Sequence, residues 1–233
     1  MAAGTIYENG AYARAFPAWH REDSSWKAAR ILEILEKNGL QPGTICEVGC
    51  GAGGILMSLR DAMDERTRFY GYEISPQAFS LCQEHKGERL EFVLGDFLRE
   101  EGRFFDLILA IDLIEHLEDY HHFLREIRTR STYKIFHIPL EIFALAAMSR
   151  SFLPGQRDRS GHLHFFTKDI VLRMLHDLGY EVMDFRYTPG FLVGNKKTWK
   201  DRVLSVPRRF LFPLGQDATV RFFGGYSLLV LAR

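Results

Sequence analysis

The run Glu47-Val-Gly49-Cys-Gly51-Ala-Gly53-Gly54 packs four glycines into eight residues. A loop of this kind turns sharply and lets its backbone approach a ligand with no Cβ in the way. Gly49, Gly51 and Gly54 also fit the G-x-G-x-x-G spacing of dinucleotide sites, so the loop alone does not choose between ligands. Three acids narrow the choice. Glu47 stands just before the turn, where a pyrophosphate would meet a second negative charge but a cationic ligand would find a favourable partner. Glu73 follows by roughly 20 residues, the separation at which a carboxylate accepts hydrogen bonds from a ribose diol. Asp96, in Phe92-Val-Leu-Gly-Asp96-Phe97, offers an acceptor to an adenine amino group, and Phe97 a ring to pack on the base. A nicotinamide cofactor would need hydride-transfer machinery, yet no Tyr-x-x-x-Lys pair occurs anywhere in the chain.

Histidines supply the second set of candidates. His116 lies just past an apolar run, and histidine as a residue type suits a general base near neutral pH; the alternative is a histidine that orders the loop and helix start that follow. His162 and His164 form an H-x-H, whose side chains share one face if the backbone is extended. The blander arrangement packs His164 beside Phe165 and Phe166 and turns His162 to the cleft or solvent. His116 and His164 are the catalytic candidates, and no metal is assigned. His121 and His122 fall at an exposed helix start, and Cys46 and Cys50 read as small buried residues. Tyr12, Phe16, Trp19 and His20 form either an aromatic lid or an arm packed on the core. Lys196, Lys197, Lys200, Arg202, Arg208 and Arg209 crowd one segment with Trp199, Phe210 and Phe212. Residues 195–212 are therefore candidates for weak contact with an anionic lipid or substrate, or a solvated face.

These groups need elements to position them. Asp23-Ser24-Ser25 offers N-cap chemistry for a helix over 26–38, with Ile31, Ile34 and Leu35 at helical spacing and Gly39 as its stop. Strands are predicted at 44–48, 68–73, 90–94, 105–111, 133–138, 180–187 and 226–232. Helices are predicted at 55–63, 76–86, 117–130 and 167–178, the last with Thr167 as N-cap. The βαβ rhythm predicts an α/β fold, a doubly wound and mostly parallel seven-stranded sheet with helices on both faces. The final pair of strands forms an antiparallel edge. Residues 139–163 and 188–225 break the rhythm and are expected to cover the substrate cleft, with residues 1–25 as an arm or lid.

The chain has 233 residues, suited to one domain, with 46% hydrophobic and 26% charged residues. Lys plus Arg and Asp plus Glu are equal at 30 each, which gives no sign of general nucleic-acid binding. Three cysteines make no disulfide framework, and Met1 to Gly10 lacks the pattern of a signal peptide. The longest apolar stretch, within 135–148, is interrupted by His137, Pro139 and Glu141 and is too short to span a bilayer. A cytoplasmic location is the expectation.

As a set, the motifs resemble class I S-adenosylmethionine (SAM)-dependent methyltransferases over roughly residues 26–187. Ile45-Cys-Glu-Val-Gly-Cys-Gly-Ala-Gly53 resembles the family's first motif, Gly71-Tyr-Glu73-Ile-Ser-Pro76 the next and Val93-Leu-Gly-Asp96 the one after. The run from Phe105 through Asp112-Leu-Ile-Glu115-His116 to Asp119 resembles the fourth-strand motif of the small-molecule, quinone-biosynthesis-like branch. The resemblance implies a Rossmann-like fold and SAM as methyl donor, with S-adenosylhomocysteine (SAH) as product. It implies that Glu47, Gly49, Gly51 and Gly53 line the methionine portion. Glu73 and Ile74 would hold the ribose, Asp96 and Phe97 the adenine, and Ile111 and Asp112 would lie close by. The implied activity is methyl transfer to an O, N or C atom of a small or medium-sized metabolite. The first rival is a metal-dependent methyltransferase of RNA 3′ ends, in which Asp112, Glu115 and His116 would join His162 and His164 around an ion. The others are a non-catalytic SAM-binding module and an NAD-dependent dehydrogenase.

Overall fold

In the computed structural model, residue 19 and residues 21–192 and 199–233 are described. Seven strands, β1 (Thr44–Val48), β2 (Arg68–Glu73), β3 (Leu90–Leu94), β4 (Phe105–Ile111), β5 (Ser131–Pro139), β6 (Val182–Thr188) and β7 (Ser227–Ala232), form one sheet. Their order is β3-β2-β1-β4-β5-β7-β6. The first five run parallel, and β7 runs antiparallel to both β5 and β6. The final pair makes the antiparallel edge, with the reversed strand inside it and β6 outermost.

The central strands β1, β4, β5 and β7 are largely buried on both faces because helices cover both. On one side α1 (Arg21–Lys37), α2 (Gly54–Ala62) and α3 (Pro76–Gln83) bury Ile31, Ile34, Leu56, Leu59 and Cys82 against Leu107, Leu109, Leu229 and Leu231. On the other, α4 (Tyr120–Arg128), α7 (Lys168–Asp177) and α9 (Gln216–Phe223) bury Phe123, Leu124, Val171, Leu175 and Val220 against Ile108, Ala110, Leu228 and Val230. Successive residues of β4 and β7 thus serve opposite cores, as the pleat requires.

Helix starts depart from the sequence pattern in two places. The first helix begins at Arg21, so Asp23, Ser24 and Ser25 are helical residues and not the cap. Glu22 and Asp23 instead place acids in the first turn, where the helix dipole favours them. The helix expected from 117 begins at Tyr120, because Ile114–His116 forms a 3₁₀ turn and the Asp119 side chain accepts from the His122 amide at 2.9 Å. Thr167 caps α7 through the Ile170 amide, as expected. His121 and His122 are exposed at the start of α4, and Cys46 and Cys50 are buried.

The two segments outside the rhythm carry helices. Residues 139–163 include α5 (Ala144–Ala147) and α6 (Phe152–Ser160), and residues 188–225 include α8 (Trp199–Leu211) and α9. The basic cluster divides. Lys196, Lys197 and the side chains of Lys200 and Arg202 lie outside the described residues. Arg208 is not on a solvated face. It is 4% exposed, its Nη2 donates to the Phe223 carbonyl at 2.7 Å, and its guanidinium stacks 5.2 Å from the Phe191 ring. Phe212 stacks on Tyr226 at 4.8 Å, while Phe210 stays exposed.

Arg208→Ala should therefore lower the unfolding free energy by about 2–3 kcal/mol, the loss expected for a buried charged donor. Arg209→Ala, at an exposed position, should change it by less than about 0.5 kcal/mol. Urea unfolding of both variants checks this, and equal effects would contradict the structural role of Arg208.

Candidate active site

The carboxyl ends of β1, β2 and β4 open onto a cavity of about 530 Å³, within the range of small-molecule sites. Its floor is the loop between β1 and α2. The Gly49 and Cys50 amides donate to the Tyr72 carbonyl at 2.8 and 3.1 Å, which folds the loop back over β2. Two glycines serve different ends. Gly51, at φ +55°, faces the cleft, and a Cβ there would meet nothing nearer than Trp19 at 4.0 Å. Gly53, at φ +76°, does not line the cleft; a Cβ there would fall 2.6 Å from the Phe92 ring. The first keeps backbone open to a ligand, and the second lets the loop pack on β3.

Carboxyl groups surround this floor. Glu73 is buried; its Oε2 accepts from the Gly51 amide and its Oε1 from the Ser75 amide, both at 2.8 Å. Each oxygen keeps a further lone pair. Burial raises its pKa against the opposing pull of those amides. Glu47 is 2% exposed, and its Oε2 has no hydrogen-bond partner among the described residues. Burial pushes its pKa from the ordinary 4.5 to about 8, against the pull of Lys27 and with the push of Glu73 and Asp112.

Asp112 sits in the left-handed region at φ +48°, a conformation costing a non-glycine residue about 1–3 kcal/mol. Three contacts hold it there. Its amide donates to the His137 carbonyl at 2.9 Å, Lys27 Nζ reaches one carboxylate oxygen at 2.7 Å, and His137 Nδ1 the other at 2.6 Å. The far nitrogen of His137 meets Thr188 Oγ1 at 2.8 Å. Burial would raise the Asp112 pKa, but His137 and Lys27 together hold it well below the usual carboxylate range. Burial likewise acts to lower Lys27, and Asp112 outweighs it, so the ammonium is held above its ordinary value.

The wall beyond Asp112 holds Glu115, His116, Glu141 and His162. Glu115 is 1% exposed, and burial, with Asp112 and Glu141 nearby, pushes its pKa well above the ordinary value. The His116 and His162 rings meet edge to face at 4.8 Å. His162 Nδ1 lies 2.6 Å from Glu141 Oε2, and Gln156 donates to the other Glu141 oxygen.

Of the residues expected from sequence, Glu47, Gly49, Gly51, Glu73, Ile74, Ile111, Asp112 and His116 all line the cleft. Asp96 does not. It is exposed and its Oδ1 caps the 3₁₀ turn Phe97–Arg99 by accepting from the Leu98 amide at 2.9 Å. Phe97 is 2% exposed in the core, edge-on to Tyr72 at 5.1 Å, with no face left for a base. His164 packs edge-on against Tyr120 at 4.7 Å, away from the cleft lining. The H-x-H does not share a face, because the Leu163 and His164 amides both donate to the Glu115 carbonyl, at 2.7 and 3.2 Å. Two successive amides on one carbonyl pinch the chain and turn His162 alone towards His116.

Lys27, His137, Glu141 and Gln156 are cleft residues that the sequence pattern did not single out. Lys27 carried a signal, since it stands four residues before Ile31 on the apolar side of its helix. Glu141 and Gln156 carried none, because no period governs the segment that holds them. Of the N-terminal aromatics, Trp19 lines the cleft; Tyr12, Phe16 and His20 lie outside the described residues. Of the two irregular segments, 139–163 contributes several lining residues and 188–225 contributes Gly190 among those described.

A model of the methyltransferase domain matches residues 18–184 of the chain. The chain belongs to that family. Norajmaline N-methyltransferase of Rauvolfia serpentina is 30% identical over 108 residues, covering 43% of this chain and 36% of that one. Ajmaline N-methyltransferase of the same organism is 33% identical over 108 residues, with the same coverage. The match thus spans little more than a third of the length of these curated relatives. Among solved structures, magnesium protoporphyrin IX methyltransferase of Synechocystis PCC 6803 with bound SAH superimposes with a TM-score of 0.65. It is 15% identical and the alignment covers 99% of this chain and 98% of that one. The N-methyltransferase NodS of Bradyrhizobium japonicum WM9 with bound SAH gives a TM-score of 0.57 at 13% identity, covering 89% and 85%. These likenesses show the methyltransferase fold. Among the described residues no helix is long and apolar enough to cross a membrane.

The raised pKa of Glu47 has a consequence for stability. A carboxyl that holds its proton more tightly when folded stabilises the fold below pH 4.5, and that stabilisation is lost as pH rises to about 8. Glu47→Gln should therefore be more stable than the parent, by an amount that grows over that window at up to about 1.4 kcal/mol per pH unit and then levels off. Chemical denaturation across pH 4–9 measures the difference; a constant difference would contradict the burial argument.

Proposed function

We propose that the chain transfers a methyl group from SAM to an N, O or C atom of a small or medium-sized metabolite, releasing SAH. One observation carries this reading. The buried Glu47 carboxyl, with no hydrogen-bond partner on Oε2 among the described residues, lines the same cleft as the bare Gly51 backbone and the Glu73 carboxylate. That combination fits a ligand bearing an ammonium group and a ribose diol.

SAM, when bound, supplies an electrophilic sulfonium methyl group. Glu47 would receive its ammonium, with Gly49 and Gly51 along the methionine portion. Glu73 would accept from the ribose hydroxyls through the lone pairs its amide bonds leave unused. Ile74, whose side chain is 54% exposed at the cleft, would cover the ribose and the adjoining base. Ile111 and Asp112 would close the far side, Asp112 held in place by Lys27 and His137. The remaining wall, with His116 and His162, is left to the acceptor. Either imidazole suits removal of a proton from an amine or hydroxyl, and the curated relatives' names favour nitrogen among the acceptor atoms. Alignment in a cleft that excludes water supplies much of the acceleration for a displacement of this type.

Calorimetry with SAM tests the donor site. Glu73→Ala should weaken binding by about 1–3 kcal/mol, the loss expected when a charged acceptor is removed. Gly51→Val should abolish it, and binding retained by both would contradict the assigned site. Transfer of a labelled methyl group to a panel of amines and phenols tests the activity. His116→Ala should lower kcat about 10²–10⁴-fold with SAM affinity unchanged. Tight SAM binding with no turnover on any acceptor would favour a non-catalytic module instead.

A further inference from the structure

We propose that Glu115, His116 and His162 form a binding site for one divalent first-row transition-metal ion on the acceptor side of the cleft. A ligand atom from each of the three residues lies within 4.8 Å of those of the other two. All three line the cleft. Metal–ligand bonds of about 2.0–2.2 Å would draw these atoms to roughly 3.4 Å of one another, a movement within reach of small side-chain rotations.

The independent observation is Glu115. Its side chain is 1% exposed and faces the cleft, yet neither carboxylate oxygen has a hydrogen-bond partner among the described residues. Burying a carboxyl without partners is costly, and a cation beside it removes that cost. Asp112 cannot provide the compensation, and it is not a fourth ligand, because Lys27 and His137 already hold its two oxygens.

The histidines are oriented as metal ligands are. His162 Nδ1 meets the Glu141 carboxylate at 2.6 Å, and Gln156 holds the other Glu141 oxygen. With Glu141 accepting, the ring proton sits on Nδ1 and Nε2 carries the lone pair. His116 Nδ1 faces the Gly161 carbonyl at 3.4 Å, which favours the same tautomer. Outer acceptors of this kind fix the ring and raise the basicity of the ligating nitrogen. The pinch at the Glu115 carbonyl serves the same end, since it joins the segment carrying His162 to the turn carrying Glu115 and His116.

Two imidazoles and one carboxylate select ions such as Zn²⁺, Co²⁺ or Mn²⁺ over Mg²⁺ or Ca²⁺, which prefer oxygen. Three protein ligands leave coordination positions for oxygen or nitrogen atoms of an acceptor. With the ion bound the two imidazoles are ligands and not bases, and an acceptor hydroxyl on the ion instead loses its proton to water at a lower pH than a free one. The ion's use on an acceptor rests on the methyl-transfer reading above; its binding does not.

Titration of the purified chain with Co²⁺, followed by the visible absorption of the ion, tests the site. The parent should take up about one equivalent. Glu115→Gln and His162→Gln should each weaken uptake at least tenfold, and a His121→Gln/His122→Gln double variant at the exposed pair should leave it unchanged. Calorimetry with SAM on the same samples separates the two readings. SAM affinity should stay within about threefold of the parent, which also shows that each variant is folded. Uptake well below one equivalent by the parent would overturn the proposal, and so would loss of uptake in the double variant alone. Co²⁺ uptake without SAM binding would leave the metal site standing and remove the methyl-transfer reading. Should both single variants fail to fold, the parent titration against the double variant decides.

Discussion

Negative charge crowded into one buried cleft governs this structure. Glu47, Glu73 and Glu115 are buried around the cavity, with Asp112 between them. Unit charges 4 Å apart repel by about 4 kcal/mol near a protein surface, and by more as water is excluded. The chain meets this in three ways. Glu47 and Glu115 hold their protons well above the ordinary range, Glu73 is bonded to two amides, and Asp112 takes both Lys27 and His137. What remains is a pocket in which added positive charge relieves strain on both sides of Asp112. On the donor side that charge would be an ammonium, and on the acceptor side an ion.

The sheet creates the crowding. With β2, β1 and β4 parallel and adjacent, the acids at their carboxyl ends share one edge. The strand order reverses between β1 and β4, and helices leave on opposite faces there, so a crevice opens at that point. The left-handed turn at Asp112 aims its carboxylate into this crevice. Its conformational cost is borne by the ion pair with Lys27, which ties α1 to β4.

The two ends of the cleft are built differently. The donor end comes from the regular βα units, where strand, turn and helix follow one another within a few residues. The acceptor end comes from parts outside that rhythm: the 3₁₀ turn holding Glu115 and His116, and the segment 139–163 with Glu141, Gln156 and His162. Backbone bonds from Leu163 and His164 to the Glu115 carbonyl fasten these two parts together, so the acceptor wall depends on tertiary contact between residues 48 and 49 positions apart.

From sequence alone, β1, β2, β3 and β4 were legible to the residue, because each is a short run dominated by aliphatic and aromatic residues that ends at a glycine or a charged residue. The glycine loop and the acids at the ends of β1 and β2 were legible for the same reason: their positions follow directly from the strand ends. Helix starts at α1 and α4 were not, since caps such as Asp23-Ser24-Ser25 and Asp119 compete and packing selects among them. Asp96 and Phe97 stand outside the cleft lining because a residue just past a strand has two faces available, and only the core decides which is used. The separation of His162 from His164 and the approach of Lys27 to Asp112 belong wholly to the tertiary structure. Neither follows from local periodicity, because each is fixed by partners distant in the chain whose burial and charge act only once the sheet has formed.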